Sequence, residues 1–222
     1  LRYINEVFVG FFQLIHNMLA VLIPNPNWSY GLAIILVTLI IRIIILPLTI
    51  KQQKSTFAMN EIQPEVKKIQ ERYKKDPQKA QELTMKLYKE KGASPFSGCL
   101  PLLIQWPIFL GLYFVFYNLQ GIGGVHFLWI SDLTQSDILL ALFAGVSTYF
   151  SGILSMPSNA ADPAQAKQTQ MMNIGMSFFM VFICWKLRSA LVLYWVINNL
   201  IQIVQAVVMK KLGIGIHKKA KA

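Results

Sequence analysis

Five apolar runs free of acidic residues, each close to 20 residues long, constrain this chain more than any other feature: Tyr30–Ile50, Phe96–Leu119, Ile138–Met156, Thr169–Trp185 and Ala190–Met209. Crossing about 30 Å of hydrocarbon takes roughly 20 helical residues, and a backbone in lipid must satisfy its own hydrogen bonds. The runs therefore predict an all-α, polytopic membrane protein with five transmembrane helices. Composition agrees, with 55% apolar residues, 14% charged residues and a mean hydropathy of +0.47.

The charges that remain are clustered. Of 21 Lys+Arg, the segment between Lys51 and Lys91 and the tail from Lys210 to Lys221 hold all but Arg2, Arg42, Lys167, Lys186 and Arg188. Basic residues concentrate on the cytoplasmic side of a membrane. The 51–92 segment, the loop with Lys167 and the tail are thus expected in the cytoplasm, with the N-terminus outside and the C-terminus inside. Trp28, Trp129 and Trp185 then fall at outer ends, where an indole sits at headgroup level. A net charge of +11 means anionic lipid or, for the tail, ribosomal RNA; it implies no sequence-specific nucleic acid binding.

The expected organisation has four parts. Residues 1–29 form an extracytoplasmic segment with an interfacial amphipathic helix over Val7–Ile23. Residues 30–50 and 96–209 form the five-helix core, 51–92 a cytoplasmic helical hairpin, and 210–222 a basic tail. Within the hairpin, Pro64 suits a first helical turn, and Val66, Ile69 and Tyr73 form a narrow stripe. Asp76 and Pro77 restart a helix whose Ala80, Leu83 and Leu87 repeat that spacing, and Gly92 ends it.

The spans carry little that could perform covalent chemistry. None contains Asp, Glu or His, no GxxxxGK[ST] occurs, and Cys99 and Cys184 are far apart without histidines nearby. No enzyme activity, nucleotide, cofactor, metal or disulfide is expected.

Arg42 is the costly residue. It stands twelve residues inside Tyr30, about 18 Å at 1.5 Å per residue, and an Arg at such a depth costs about 2.5–3.5 kcal/mol on insertion scales. A water-filled cavity is expected to receive it. Thr38 shares its face one turn earlier. In the fifth span Tyr194, Asn198, Gln202 and Gln205 form a polar stripe, and Gln105 adds an amide from the second, which predicts one hydrophilic concavity. Ser147, Ser151 and Ser155 read as small-residue helix packing, and Met172, Met176 and Met180 as ordinary packing or lipid contact. Pro101 and Pro107 are expected to kink the second span.

The run GCLPLLIQWPIFLGLYF from Gly98 to Phe114, Arg42, the basic hairpin and LVLYWVINN from Leu191 to Asn199 resemble the YidC family of membrane protein insertases. The match extends over nearly the whole chain, and the long GCxPxxxQxPIFxxLY string is specific. The resemblance implies a groove closed on the outside and open to cytoplasm and lipid, and nucleotide-free insertion of small or nascent membrane proteins. It places Arg42, Thr38, Gln105, Phe109 and Tyr194 along the substrate path, to which the polar stripe adds Asn198 and Gln202. Expected partners are substrate chains, the ribosome, membrane lipids, and a Sec translocon with targeting factors. Lys186–Ala190 departs from the family pattern, as does the lack of a proline near Ser177. With no large domain ahead of the first span, the likeness is to Gram-positive and clostridial members. The competing reading is a small channel or carrier built around the Arg42 cavity.

Overall fold

The computed structural model describes residues 2–92, 100–155 and 163–212. Eight helices account for most of them: α1 Arg2–Leu22, α2 Pro26–Glu61, α3 Gln63–Arg72, α4 Pro77–Glu90, α5 Leu100–Asn118, α6 Ile138–Ser155, α7 Pro163–Cys184 and α8 Ser189–Lys211. No strand occurs among the described residues beyond a single bridge between Phe127 and Ile130. The fold is all-α. The tail after Leu212, Cys99 and the start of the predicted second span lie outside the described residues, as does the side chain of Ser155.

Helix α2 is one unbroken rod of 36 residues, about 54 Å long and well beyond the hydrocarbon thickness. It joins the predicted first span to the following hydrophilic stretch without a stop at Lys51. The Asn25 side chain accepts from Asn27 N at 3.0 Å and Pro26 fills the first turn, where its missing N–H costs nothing. The break at Ile62 has its cause two residues on: Pro64 cannot donate to the preceding turn, so α3 starts anew. α3 and α4 then pair. Ile62, Val66 and Leu87 are buried together, with Ala58, Met59, Ile69 and Tyr88 against them, while Tyr73 and Leu83 stay half-exposed. Asp76 caps α4 by accepting from Lys79 N at 3.1 Å, and Gly92 ends it with φ +63°, a left-handed turn that glycine adopts without a Cβ penalty.

By length and apolarity α2 and α8 are each able to cross a bilayer, and α5 and α6 supply shorter apolar stretches, Leu103–Asn118 and Ile138–Leu154. α7 starts at Pro163, so polar turns precede its apolar part. α5 continues through Pro107 as one helix.

The helices group into two sets. α1 packs on α2 and α5; α6 packs on α7 and α8. Phe12 of α1 is fully buried, edge-on to Phe116 at 5.5 Å, and His16 stacks on Tyr30 at 3.8 Å, while Val7, Leu14, Met18, Val21 and Leu22 form an exposed apolar face. Close approach of α6 to α7 depends on missing side chains. A Cβ at Gly145 would overlap Val181, and one at Gly152 would overlap the Asn173 amide. The two sets meet mainly where α8 lies against α2 and α5, and the polar residues of the spans are concentrated at that seam.

Candidate functional site: a buried arginine beside an apolar cleft

At the seam α2 brings Arg42 to α8. Its Nε donates to Asn198 Oδ1 at 2.6 Å and its Nη2 to the Asn198 carbonyl at 2.9 Å. Arg42 is 8% exposed, and its charge is met by a neutral asparagine. Thr38 is 1% exposed, and its hydroxyl donates to Ile34 O within its own helix at 2.6 Å; it lines no open space.

The polar stripe of α8 faces one way, along the seam. Tyr194 is 1% exposed and its hydroxyl accepts from Gln105 Nε2 on α5 at 2.6 Å. Gln205 reaches across to Thr49 and Gln53 of α2 at 3.3 and 3.2 Å. Gln202 is half-buried. Nearby on α2, Gln52 is 7% exposed and its side-chain N–H group has no partner. Arg42 and Asn198 therefore touch, Gln105 and Tyr194 touch, and Phe109 stands apart from both pairs, edge-on to Trp195 at 6.0 Å.

Phe109 belongs to a second feature. α5 and α7 do not pack closely, and between them, floored by α8, lies an apolar cleft of 480 Å³. Trp106 and Phe109 line one wall, Met176, Met180 and Cys184 the other, and Trp195 the floor. Gln105 borders the cleft while donating to Tyr194, so one amide joins the polar seam to the apolar space. Met176 and Met180, read from the sequence as packing, are cleft residues; their spacing on one face was the signal, and nothing in the sequence told what that face would meet. Asn199 was missed altogether. It lies off the stripe and points to the other side of α8, where its side-chain amide is hydrogen-bonded to the Ser147 and Thr148 hydroxyls of α6 at 3.1 and 3.0 Å. Consecutive asparagines thus tie α8 to α2 and to α6.

The end of the bundle nearest the 119–137 loop is shut by a different set of contacts. The Phe127 ring occupies the notch that Gly31 leaves in α2, His126 N donates to Asn27 Oδ1 at 3.0 Å, and Leu133 N to Val125 O at 2.8 Å. The unusual Lys186–Ala190 segment is built into this closure. Ser189 N and Oγ both donate to Gln135 O, at 2.8 and 2.7 Å, and Ala190 N donates to Leu133 O at 2.9 Å. Arg188 donates to Phe116 O at the end of α5, at 2.8 Å, with its guanidinium 4.2 Å from the Tyr117 ring centre. Burial pushes the Asp132 carboxyl up, but hydrogen bonds from the Thr134 hydroxyl and N–H and from Gly124 N–H, with the Arg188 charge, outweigh it and hold the group below its ordinary value.

Fold and site together define a polytopic α-helical membrane protein with a buried cation on an interhelical seam. The 60Kd inner membrane protein family matches residues 22–216, and the chain belongs to that family. Relatives over nearly its whole length are named membrane protein insertase YidC. That of Clostridium tetani is 53% identical over 96% of both chains. That of Clostridium acetobutylicum is 50% identical over 91% of this chain and 82% of its own. A crystal structure described as an active YidC insertase with its first transmembrane domain resolved is similar at TM-score 0.68 and 35% identity, over 90% of this chain. The chain spans 45% of that one.

Proposed function

We propose that this chain inserts small or nascent membrane proteins into the cell membrane without nucleotide, receiving their polar segments at Arg42 and passing their apolar spans through the cleft between α5 and α7. The observation that carries the reading is the adjacency of the two environments. Arg42 is a permanent cation bound, among the described residues, to neutral oxygens of Asn198, and the neighbouring cleft is apolar and bounded by Phe109 and Gln105. A polar or acidic substrate segment drawn toward the fixed charge has a shorter stretch of hydrocarbon left to cross. The substrate's apolar span meanwhile leaves water for the cleft and then lipid, at about 25 cal/mol per Å² buried. Thr38, Tyr194 and Gln202 shape the seam rather than bind the span, given the burial of the first two. On this reading the α3–α4 hairpin and the basic tail face the cytoplasm, where ribosomes, targeting factors, a Sec translocon and anionic lipids are the partners.

Purified protein in vesicles tests the proposal. Protease-protected insertion of an added single-span substrate with an acidic translocated segment is expected from the wild type. Arg42→Lys should retain much of it, and Arg42→Ala should lose about tenfold, the equivalent of roughly 1.4 kcal/mol on a barrier. Equal insertion with and without Arg42, or solute flux in place of insertion, would sink the reading.

A further inference from the structure

The apolar cleft is too narrow for a helix and too dry for water, and one side of it is open. It lies in the half of the bundle nearer the 119–137 loop, since its walls run to Cys184 at the end of α7 and to Leu191 in the first turn of α8. Met176 and Cys184 are eight residues apart on α7, about 12 Å at 1.5 Å per residue, close to the ~15 Å of hydrocarbon in one leaflet. A helix about 10–12 Å across would need roughly 1,000 Å³ over that length, which is about twice the 480 Å³ present. Water has little to bind there. Gln105 already donates to Tyr194, and the Trp195 indole N–H donates to Thr148 at 3.1 Å, whereas a buried water needs about two to four polar partners. On the open side Trp106 and Phe179 are exposed. A chain of methylenes is thin and apolar enough to fill the space and to restore the dispersion contacts that an empty cleft forfeits.

The rim of the cleft carries a cation. Between Cys184 and Leu187, both lining residues, stand Trp185 and Lys186, both exposed, with the Lys186 Nζ 4.9 Å from the Trp185 ring centre. A tryptophan and a lysine at a helix end settle at headgroup level in a bilayer. The other cation of this segment, Arg188, is engaged by Phe116 O and the Tyr117 ring, which leaves Lys186 to meet an anion. We infer that between substrates one acyl chain of an anionic phospholipid, drawn from the leaflet at the loop end, occupies the cleft with the lipid phosphate at Lys186. The resident chain keeps α5 and α7 apart, so an entering span exchanges one set of apolar contacts for another instead of opening a closed wall. That displacement rests on the insertase reading above; the lipid site stands without it.

Trp195, on the cleft floor, reports occupancy. The whole chain with Trp28, Trp106, Trp129 and Trp185 replaced by Phe is placed in vesicles whose phosphatidylcholine or phosphatidylglycerol carries bromine on the acyl chain, which quenches an indole on contact. A companion chain that keeps only the exposed Trp106 shows that the brominated lipid reaches the protein. Trp195 is expected to be quenched, with phosphatidylglycerol favoured about fivefold in mixtures, the factor one lysine near a membrane surface supplies. Lys186→Gln should remove that preference. Thermal unfolding in detergent identifies a variant that fails to fold, and native mass spectrometry of the unaltered chain in mild detergent gives a second reading: one anionic phospholipid retained. Quenching of Trp106 but not of Trp195, or no retained lipid, overturns the site. A preference that is absent, or that survives Lys186→Gln, overturns the assignment of an anionic headgroup to Lys186. An added single-span substrate should relieve the Trp195 quenching as it inserts. Insertion with the quenching unchanged overturns the displacement and leaves the insertase reading intact, whereas failure of any insertion overturns the insertase reading while the quenching still decides the lipid site.

Discussion

Single side chains at the seam and the loop end do unequal work. Arg42 was legible as a cost because an arginine that deep needs a partner, but which partner depends on the rotation of α8, and no local signal encodes that. Tyr194 shows the same limit. The polar stripe singled it out, but not the Gln105 amide that its hydroxyl accepts from, nor its 1% exposure. At the other end Arg188 bridges the α5 terminus and the Tyr117 ring, combining a charged hydrogen bond with a cation–π contact. Arg188→Ala should therefore lower stability by about 1–3 kcal/mol. Arg188→Lys should recover only part of this, because an ammonium lacks the planar fork. Thermal unfolding in detergent reads both, and an unchanged midpoint for the alanine variant would remove Arg188 from the account of the closure.

Among the elements, α2 departs most from expectation, since the hydrophilic region was expected to begin a separate unit at Lys51 and the helix instead continues to Glu61. Its eleven extra residues, 51–61, lift the α3–α4 pair away from the spans, and the pair has its own small apolar cluster around Ile62, Val66 and Leu87. Apolar contacts this local make the hairpin separable. Replacing Pro64–Lys91 by a short linker should leave the unfolding of the remaining helices within a few degrees of wild type, on the order of a 1 kcal/mol change, and yet reduce insertion in cells lacking a second insertase. Full activity of that deletion would show the hairpin to be a spacer and not a docking surface.

Viewed whole, the molecule consists of two helix sets joined along α8, with the loop end closed by Phe127, Arg188 and the Gln135 contacts, and the apolar cleft lying between α5 and α7. The charge distribution predicts an orientation for this body in the membrane. With eleven basic residues between Lys51 and Lys91, the hairpin should face the cytoplasm and the 119–137 loop the outside. Single cysteines at Ser131 and at Gln78, in a chain whose Cys99 and Cys184 are replaced by Ser, should react with a membrane-impermeant reagent from opposite sides of sealed cells. Labelling of both from outside would refute the orientation.

Sequence alone determined the all-helical membrane class, three of the helix boundaries around Pro64, Pro77 and Gly92, and the identity of the chemically expensive residue. These follow from local physics: hydrocarbon thickness sets run length, proline and glycine punctuate the backbone, and a charge in lipid is costly wherever it stands. The motif strings also carried the family. Tertiary structure alone decided that Asn198 meets Arg42, that Met176 and Met180 line a cleft, and that Asn199 fastens α8 to α6. Each of those facts depends on how two helices are rotated and spaced against each other. That spacing is set by distant side chains, such as the absent ones at Gly145 and Gly152, whose effect exists only once both helices are in place.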